Sequence, residues 1–339
     1  MIIQTGTIVD QLEATHLPYE AAGLTFHNPC IVGSGPTVKT EGMIKAIDEA
    51  GWGAACLKLS FDPEPYISRE PRYKWWKKEM LHSFTAEKRI TIEEALRLTD
   101  FALKNTKTTK FFSNLTYCGD KGVPGWVNMA KRFEAAGVHG NELNMCCPNM
   151  SFNKQATDHY VNQRTGASMC ETPATVAEII REVRKATKIP LSVKISPEWG
   201  NLGALSVACY ESGADFVASV GNRLGVPPFD INHPEKGPYD LQQEPSISCL
   251  SGPWLKPLAL KDVYAIRAAV VANKLEEKLG RKCYIVGYGG MKDWKDYVQM
   301  TQMGADMIGI CTETMLRGYA YLAKELKNLK QWMEERAHA

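Results

Sequence analysis

The feature that most constrains this chain is an alternation: a short apolar run rich in β-branched residues, then an amphipathic stretch with helical spacing, over and over. The runs are Cys30–Ser34, Gly53–Leu59, Lys110–Thr116, Gly140–Met145, Leu191–Ser196, Asp215–Val220, Cys283–Gly287 and Asp306–Cys311. Strands joined through helices must run parallel, because the helix carries the chain back to the starting edge. Helical spacing falls at Thr91–Lys104, Trp126–Ala136, Pro173–Thr187, Leu258–Ala272 and Trp294–Met303, and Tyr319–Ala337 reads as a closing helix. Several helices run into a glycine before the next strand, as in EAAGVHGNEL, ESGADFVAS and TQMGADMIGI. Glycine there supplies the left-handed conformation that stops a helix. Units of this kind, eight in number, close into a barrel, so the expected fold is α/β, a (β/α)8 TIM barrel. An open doubly wound sheet is the alternative. It would prefer a glycine fingerprint after the first strand, which Gly33-Ser34-Gly35-Pro36 matches only loosely.

The 339 residues are then read as one domain, 1–339, with an N-terminal extension and long βα-loops. The connections Ser60–Arg89 and Pro148–Glu171 follow strand C-termini and have the length of lids. A third long segment, Val226–Pro257, is rich in proline and glycine. Within the first connection, Arg69–Lys78 interleaves aromatic and basic residues (REPRYKWWKK). It reads as a solvated loop whose tryptophans pack on the barrel rim. The net charge of +2 speaks against a nucleic-acid or membrane-surface partner. No apolar run is long enough to span a bilayer, and the first residues resemble no secretory signal. A cytoplasmic location is expected, with the ten cysteines reduced. No C-x-x-C pair occurs, so no metal or iron–sulfur site is expected, and any redox chemistry needs an organic cofactor or a partner protein.

The segment Glu142-Leu143-Asn144-Met145-Cys146-Cys147-Pro148-Asn149 carries the strongest local signal, at the end of the fourth strand. A thiol can exchange a proton near neutral pH, and the asparagines Asn144 and Asn149 can both donate and accept hydrogen bonds. Either cysteine could instead be a small buried hydrophobe, and Cys146 is read that way. Gly289 and Gly290, between a strand and a helix, have bare N–H groups that can approach a phosphate, with the helix N-terminus favouring the anion; Cys311 and Thr312 would complete that pocket. Lys194 in an apolar strand needs a partner, either an anionic ligand edge or a barrel carboxylate such as Glu142.

These segments, in order, resemble the dihydroorotate dehydrogenase and dihydropyrimidine dehydrogenase flavoprotein family over residues 20 to 320. Asn144–Asn149 is similar to its N-L-S-C-P-N/H signature. His27-Asn28-Pro29 and Gly33-Ser34-Gly35-Pro36 resemble its first strand and flavin-contacting turn. Gly51-Trp52-Gly53 with Lys58 resembles its second strand in the form of the dihydropyrimidine branch. Val193-Lys194-Ile195, Ser251-Gly252-Pro253 with Leu255–Ala259, and Gly287–Met291 resemble its later motifs. The resemblance implies FMN as cofactor, held by Gly33, Ser34, Lys58, Asn114, Lys194, Ser251, Gly252, Gly289, Gly290, Cys311 and Thr312. It implies Cys147 as the proton-transfer residue beside a substrate that exchanges a hydride with the flavin, and Asn144, Asn149, Lys58 and Asn222 as substrate contacts. Expected partners are a small-molecule substrate, a separate electron-transfer subunit or soluble electron carrier, and a second copy of the chain in a homodimer.

The chain departs from the pattern in places. Glu79–Phe84 lacks the further substrate asparagine of dihydroorotate enzymes; His82 could replace it, although a lone loop histidine is more often exposed. Arg223 beside Asn222 could meet a substrate carboxylate or simply face solvent. A flavin enzyme for another cyclic or unsaturated compound is therefore the alternative, and a non-catalytic FMN-binding protein a third reading.

Overall fold

The computed structural model describes residues 13–62, 73–84, 89–146, 170, 172–198, 200–219, 221–239 and 248–337. Eight strands form the barrel: β1 (Cys30–Val32), β2 (Ala54–Cys56), β3 (Lys110–Tyr117), β4 (Gly140–Asn144), β5 (Leu191–Ile195), β6 (Phe216–Ser219), β7 (Tyr284–Tyr288) and β8 (Met307–Ile310). Each pairs in parallel with the next, and β8 pairs back onto β1, so the sheet closes. The outer layer is α1 (Glu41–Glu49), α2 (Ile92–Asn105), α3 (Val123–Ala135), α4 (Pro173–Ala186), α5 (Leu202–Glu211), α6 (Lys256–Ala272), α7 (Trp294–Gln302) and α8 (Leu322–Ala337).

Local chemistry explains most boundaries. Thr91 and Glu94 form a reciprocal cap that starts α2. Pro124 and Pro257 sit in the first turns of α3 and α6, where a missing N–H does no harm, so both helices begin before the apolar periodicity does. Helix α5 (LGALSVACYE) is apolar nearly all round and shows no face in the sequence.

Alternation along the strands divides the core in two. Phe111 packs outward with Ile44, Phe133 and Val263 beneath the helices. Phe112 points into the barrel with Ile31, Cys56, Phe216, Val286 and Met307. An N-terminal hairpin, Tyr19–Ala21 with Leu24–Phe26, packs on this interior, Phe26 stacking on Phe112 at 6.4 Å between ring centroids. It is the expected N-terminal extension.

The first lid-length connection and the proline- and glycine-rich segment contribute strands. Tyr73–Trp76 and Leu81–Phe84 form an antiparallel hairpin, extended by Ser248–Ser251 and Arg223–Gly225 into a four-stranded sheet. Part of the supposed solvated loop is therefore strand. Trp76 donates its indole N–H to Ser83 Oγ at 2.8 Å, and Lys74 reaches the Pro238 carbonyl at 3.2 Å. The proline- and glycine-rich segment likewise contains a buried strand, Ser248–Ser251. Pairings between residues so distant in sequence leave no periodic signal. The Pro148–Glu171 lid expectation falls almost wholly outside the described residues.

Among the described residues, no helix is long and apolar enough to cross a membrane, and no group of three or more histidine, cysteine or carboxylate side chains could hold a metal.

Candidate active site

A cleft with about 1080 Å³ of empty space, open to solvent, lies between the barrel's strand C-termini and the four-stranded sheet. Strand ends in a parallel barrel all deliver side chains to one rim, which is why such clefts form there. Of the residues expected in the site, Gly33, Ser34, Lys58, Asn144, Lys194, Asn222, Ser251, Gly252, Gly289, Gly290, Cys311 and Thr312 border this cleft. Cys147 and Asn149 lie outside the described residues.

Asn114 does not border the cleft. It is fully buried in β3, directly opposite Glu142 in the register of β4. Its amide nitrogen donates to Glu142, and its oxygen accepts from the Asn144 amide at 2.9 Å. Ser192 Oγ donates to the other Glu142 oxygen at 3.4 Å. Asn144 alone of the three reaches the cleft, so Glu142 and Asn114 act as its support. Burial is the largest influence on the Lys194 ammonium and works against it, but the fields of Glu142, Cys146, Cys56 and Cys311 together outweigh it and hold the lysine's pKa above its ordinary value. Lys194 lies 4.5 Å from the centre of the Tyr288 ring and 3.4 Å from Ser34 Oγ. Both readings of Lys194 thus meet: a barrel carboxylate helps keep it charged, and its head stands at the cleft. Asn114→Leu would strip partners from a buried carboxylate and a buried amide. A loss of about 1–3 kcal/mol is expected in urea unfolding; unchanged stability would show that the network carries no weight.

Cys146 was expected to be an inert buried hydrophobe. It is buried, but it also borders the cleft and donates its thiol proton toward Asn144 Oδ1 at 3.4 Å. Cys170 is enclosed, donating to the Met145 carbonyl at 3.2 Å, and burial pushes its thiol up to about 11.

Gly289 and Gly290 have φ of +123° and +74°, which L-residues avoid. A Cβ on Gly290 would lie 2.6 Å from the Lys256 nitrogen, and one on Gly289 would lie 2.8 Å from Ala259 Cβ. The turn is therefore bare backbone pressed against α6. The helix contribution to anion binding differs from the expectation. The first N–H groups of α7 are already taken: Glu325 accepts from Trp294, and the Asp293 cap accepts from Lys295 and Asp296. The glycine turn and the Cys311–Thr312 turn both border the cleft, whereas the first N–H groups of α7 are already taken.

Two further expectations are corrected. Arg223 does not face solvent: it pairs with Asp262, whose side chain is fully buried. Its guanidinium is therefore engaged with α6. His82 is not an exposed loop residue. It is 4% exposed and borders the cleft. Its ring stacks on Tyr73 at 5.5 Å and 12° and lies 5.9 Å from Phe84. Burial pushes its pKa down to about 4, so it is neutral near pH 7. The sequence signal for this wall was the alternation in Leu81-His82-Ser83-Phe84, which puts His82 and Phe84 on one face of a strand.

The arrangement suits a flat ring with an anionic tail: bare backbone for the tail, a lysine at the ring floor, amides and aromatic rings around a second small ring. A family model described as "Dihydroorotate dehydrogenase" matches residues 16–333. The chain is 22% identical over 336 residues to "Dihydropyrimidine dehydrogenase (NADP(+)), chloroplastic" from Arabidopsis thaliana, covering 92% of this chain and 72% of that one. It is 24% identical to "NAD-dependent dihydropyrimidine dehydrogenase subunit PreA" from Escherichia coli K12, with the same coverage. It is 28% identical over 205 residues to "Dihydroorotate dehydrogenase B (NAD(+)), catalytic subunit" from a Thermoanaerobacter strain, covering 60% of this chain and 58% of that one.

Proposed function

This chain belongs to the dihydroorotate dehydrogenase family, and on that premise we propose that it is an FMN-dependent oxidoreductase interconverting a dihydropyrimidine-like ring and its unsaturated form. One observation carries the reading. Two stretches with no local relation, the Gly289–Gly290 turn and the Lys194–Asn144 pair on adjacent strands, border a single cleft. Gly289, Gly290, Cys311 and Thr312 would hold the FMN phosphate. Gly33, Ser34, Lys58 and Lys194 would line the isoalloxazine ring, and the Gly289–Gly290 turn, packed against α6 on one side, offers the cleft backbone without side chains.

Bound FMN supplies the two-electron acceptor or donor chemistry that no side chain here can. The chain's own residues do the rest. Lys194, its ammonium favoured by Glu142 and the neighbouring cysteines, would meet the electron-rich edge of the ring. Asn144, fixed by Asn114, hydrogen-bonds the substrate's polar edge. Lys58, Asn149 and Asn222 are its further contacts. Cys147 moves the proton on the substrate carbon, as base in oxidation and as acid in reduction. The names of the bacterial relatives, each a "subunit", support electron transfer through a separate protein.

The test is the visible spectrum of the purified protein, followed by anaerobic addition of dihydrouracil, dihydrothymine and dihydroorotate. Bound FMN bleached by one of the first two supports the dihydropyrimidine reading. A yellow protein silent to all three would favour another unsaturated ring, and a colourless protein that takes up no FMN would overturn the reading.

A further inference from the structure

The hydrogen bonds around His82 can be counted, and the count fixes which of its ring nitrogens faces a ligand and in what role. Ser251 lies opposite His82 in the antiparallel register of the sheet above the barrel. Its hydroxyl meets three groups: the His82 carbonyl at 3.3 Å, His82 Nδ1 at 3.2 Å, and Thr312 Oγ1 at 3.3 Å. A serine hydroxyl has one proton to give and two lone pairs to receive with. The His82 carbonyl can only accept, so the one arrangement that makes all three contacts hydrogen bonds sends the Ser251 proton there. Thr312 donates to one lone pair of Ser251. The other lone pair then receives the proton on Nδ1. In a neutral imidazole only one nitrogen carries a proton, so Nε2 is left as an acceptor. The ring is neutral because it is buried, and its plane is fixed by the stack on Tyr73. The same residues, Tyr73, His82 and Phe84, form a wall of the cleft.

We infer that His82 is a specificity-determining residue whose Nε2 accepts a hydrogen bond from a ring N–H of the substrate. The substrate class that satisfies it is a flat cyclic amide or imide with an N–H at that edge. A ring that presents a carboxylate there would set an anionic acceptor against an acceptor lone pair in a desolvated place, and would be disfavoured. This rests on the reading of a dihydropyrimidine-like ring in the cleft, and it goes further by naming the atom that must be a donor.

The experiment uses the FMN-loaded protein and reads ligand binding from the perturbation of the flavin spectrum. Uracil, 1-methyluracil, 3-methyluracil and orotate are titrated into the wild type and into His82→Phe, which keeps an aromatic ring in the stack but removes the acceptor. Uracil should bind His82→Phe about tenfold more weakly than the wild type, the loss of one hydrogen bond. One of the two methylated rings should bind the wild type about tenfold more weakly than uracil, and that penalty should shrink in His82→Phe. Retained flavin absorbance in the variant shows that its site is intact, and the comparison of methylated rings in the wild type stands even if the variant does not fold. Two results overturn the inference while leaving the proposed function in place: uracil and both methylated rings binding the wild type alike, or the same methyl penalty in His82→Phe. A wild type that holds FMN yet responds to none of the four rings overturns the dihydropyrimidine reading and this inference together.

Discussion

Cys147→Ala should keep its FMN and lose about 10²- to 10⁴-fold in turnover, the range contributed by a positioned proton-transfer group. The loss should appear in the reductive half-reaction, followed by stopped-flow bleaching of the flavin, because the proton leaves the substrate carbon in that step. The neighbouring thiols provide the contrast. Cys146 directs its proton at Asn144 Oδ1, and Cys170 is enclosed with its thiol pushed up to about 11. Cys146 is turned to a protein oxygen and the Cys170 thiol is held protonated, so Cys146→Ala and Cys170→Ala should cost far less than Cys147→Ala. A Cys147→Ala enzyme that bleaches at the wild-type rate would remove Cys147 from the mechanism. If Cys146→Ala then proved the slow variant, the assignment would move one residue toward the strand.

Gly290→Ala should leave the barrel folded and nearly colourless. The residue sits at φ +74°, and an added methyl would meet the backbone nitrogen of Lys256 at 2.6 Å. Neither contact can relax by turning a side chain, since the obstacle is the first turn of α6. A non-glycine residue held in such a conformation costs about 1–3 kcal/mol, so relief by backbone movement is favoured. That movement displaces the N–H groups assigned to the phosphate. FMN affinity should fall about 10- to 100-fold, the equilibrium equivalent of that strain. Fluorescence of free flavin on titration into apoprotein measures it, with circular dichroism as the check on folding. FMN binding unchanged from the wild type would mean that the phosphate sits elsewhere in the cleft. The α7 terminus offers no substitute, because Glu325 and Asp293 already occupy its first N–H groups.

The barrel was legible in the sequence because it depends on local information. Strand and helix periodicities repeat over short windows, and the glycines that end helices or strip a turn to bare backbone do so whatever surrounds them. The eight runs became β1 to β8 in the expected order, and twelve of the described site residues border one cleft. What tertiary structure alone decided involves partners far apart in the chain. Ser251 is 169 residues from His82, and Asp262 is 39 from Arg223. Asn114 is separated by 28 and 30 residues from Glu142 and Asn144. A histidine in a loop and an arginine beside an asparagine carry no mark of whether a distant strand will cover them. Burial, tautomer and charge state follow from what packs against a side chain, and that is set only once the long connections fold back as a sheet over the barrel mouth.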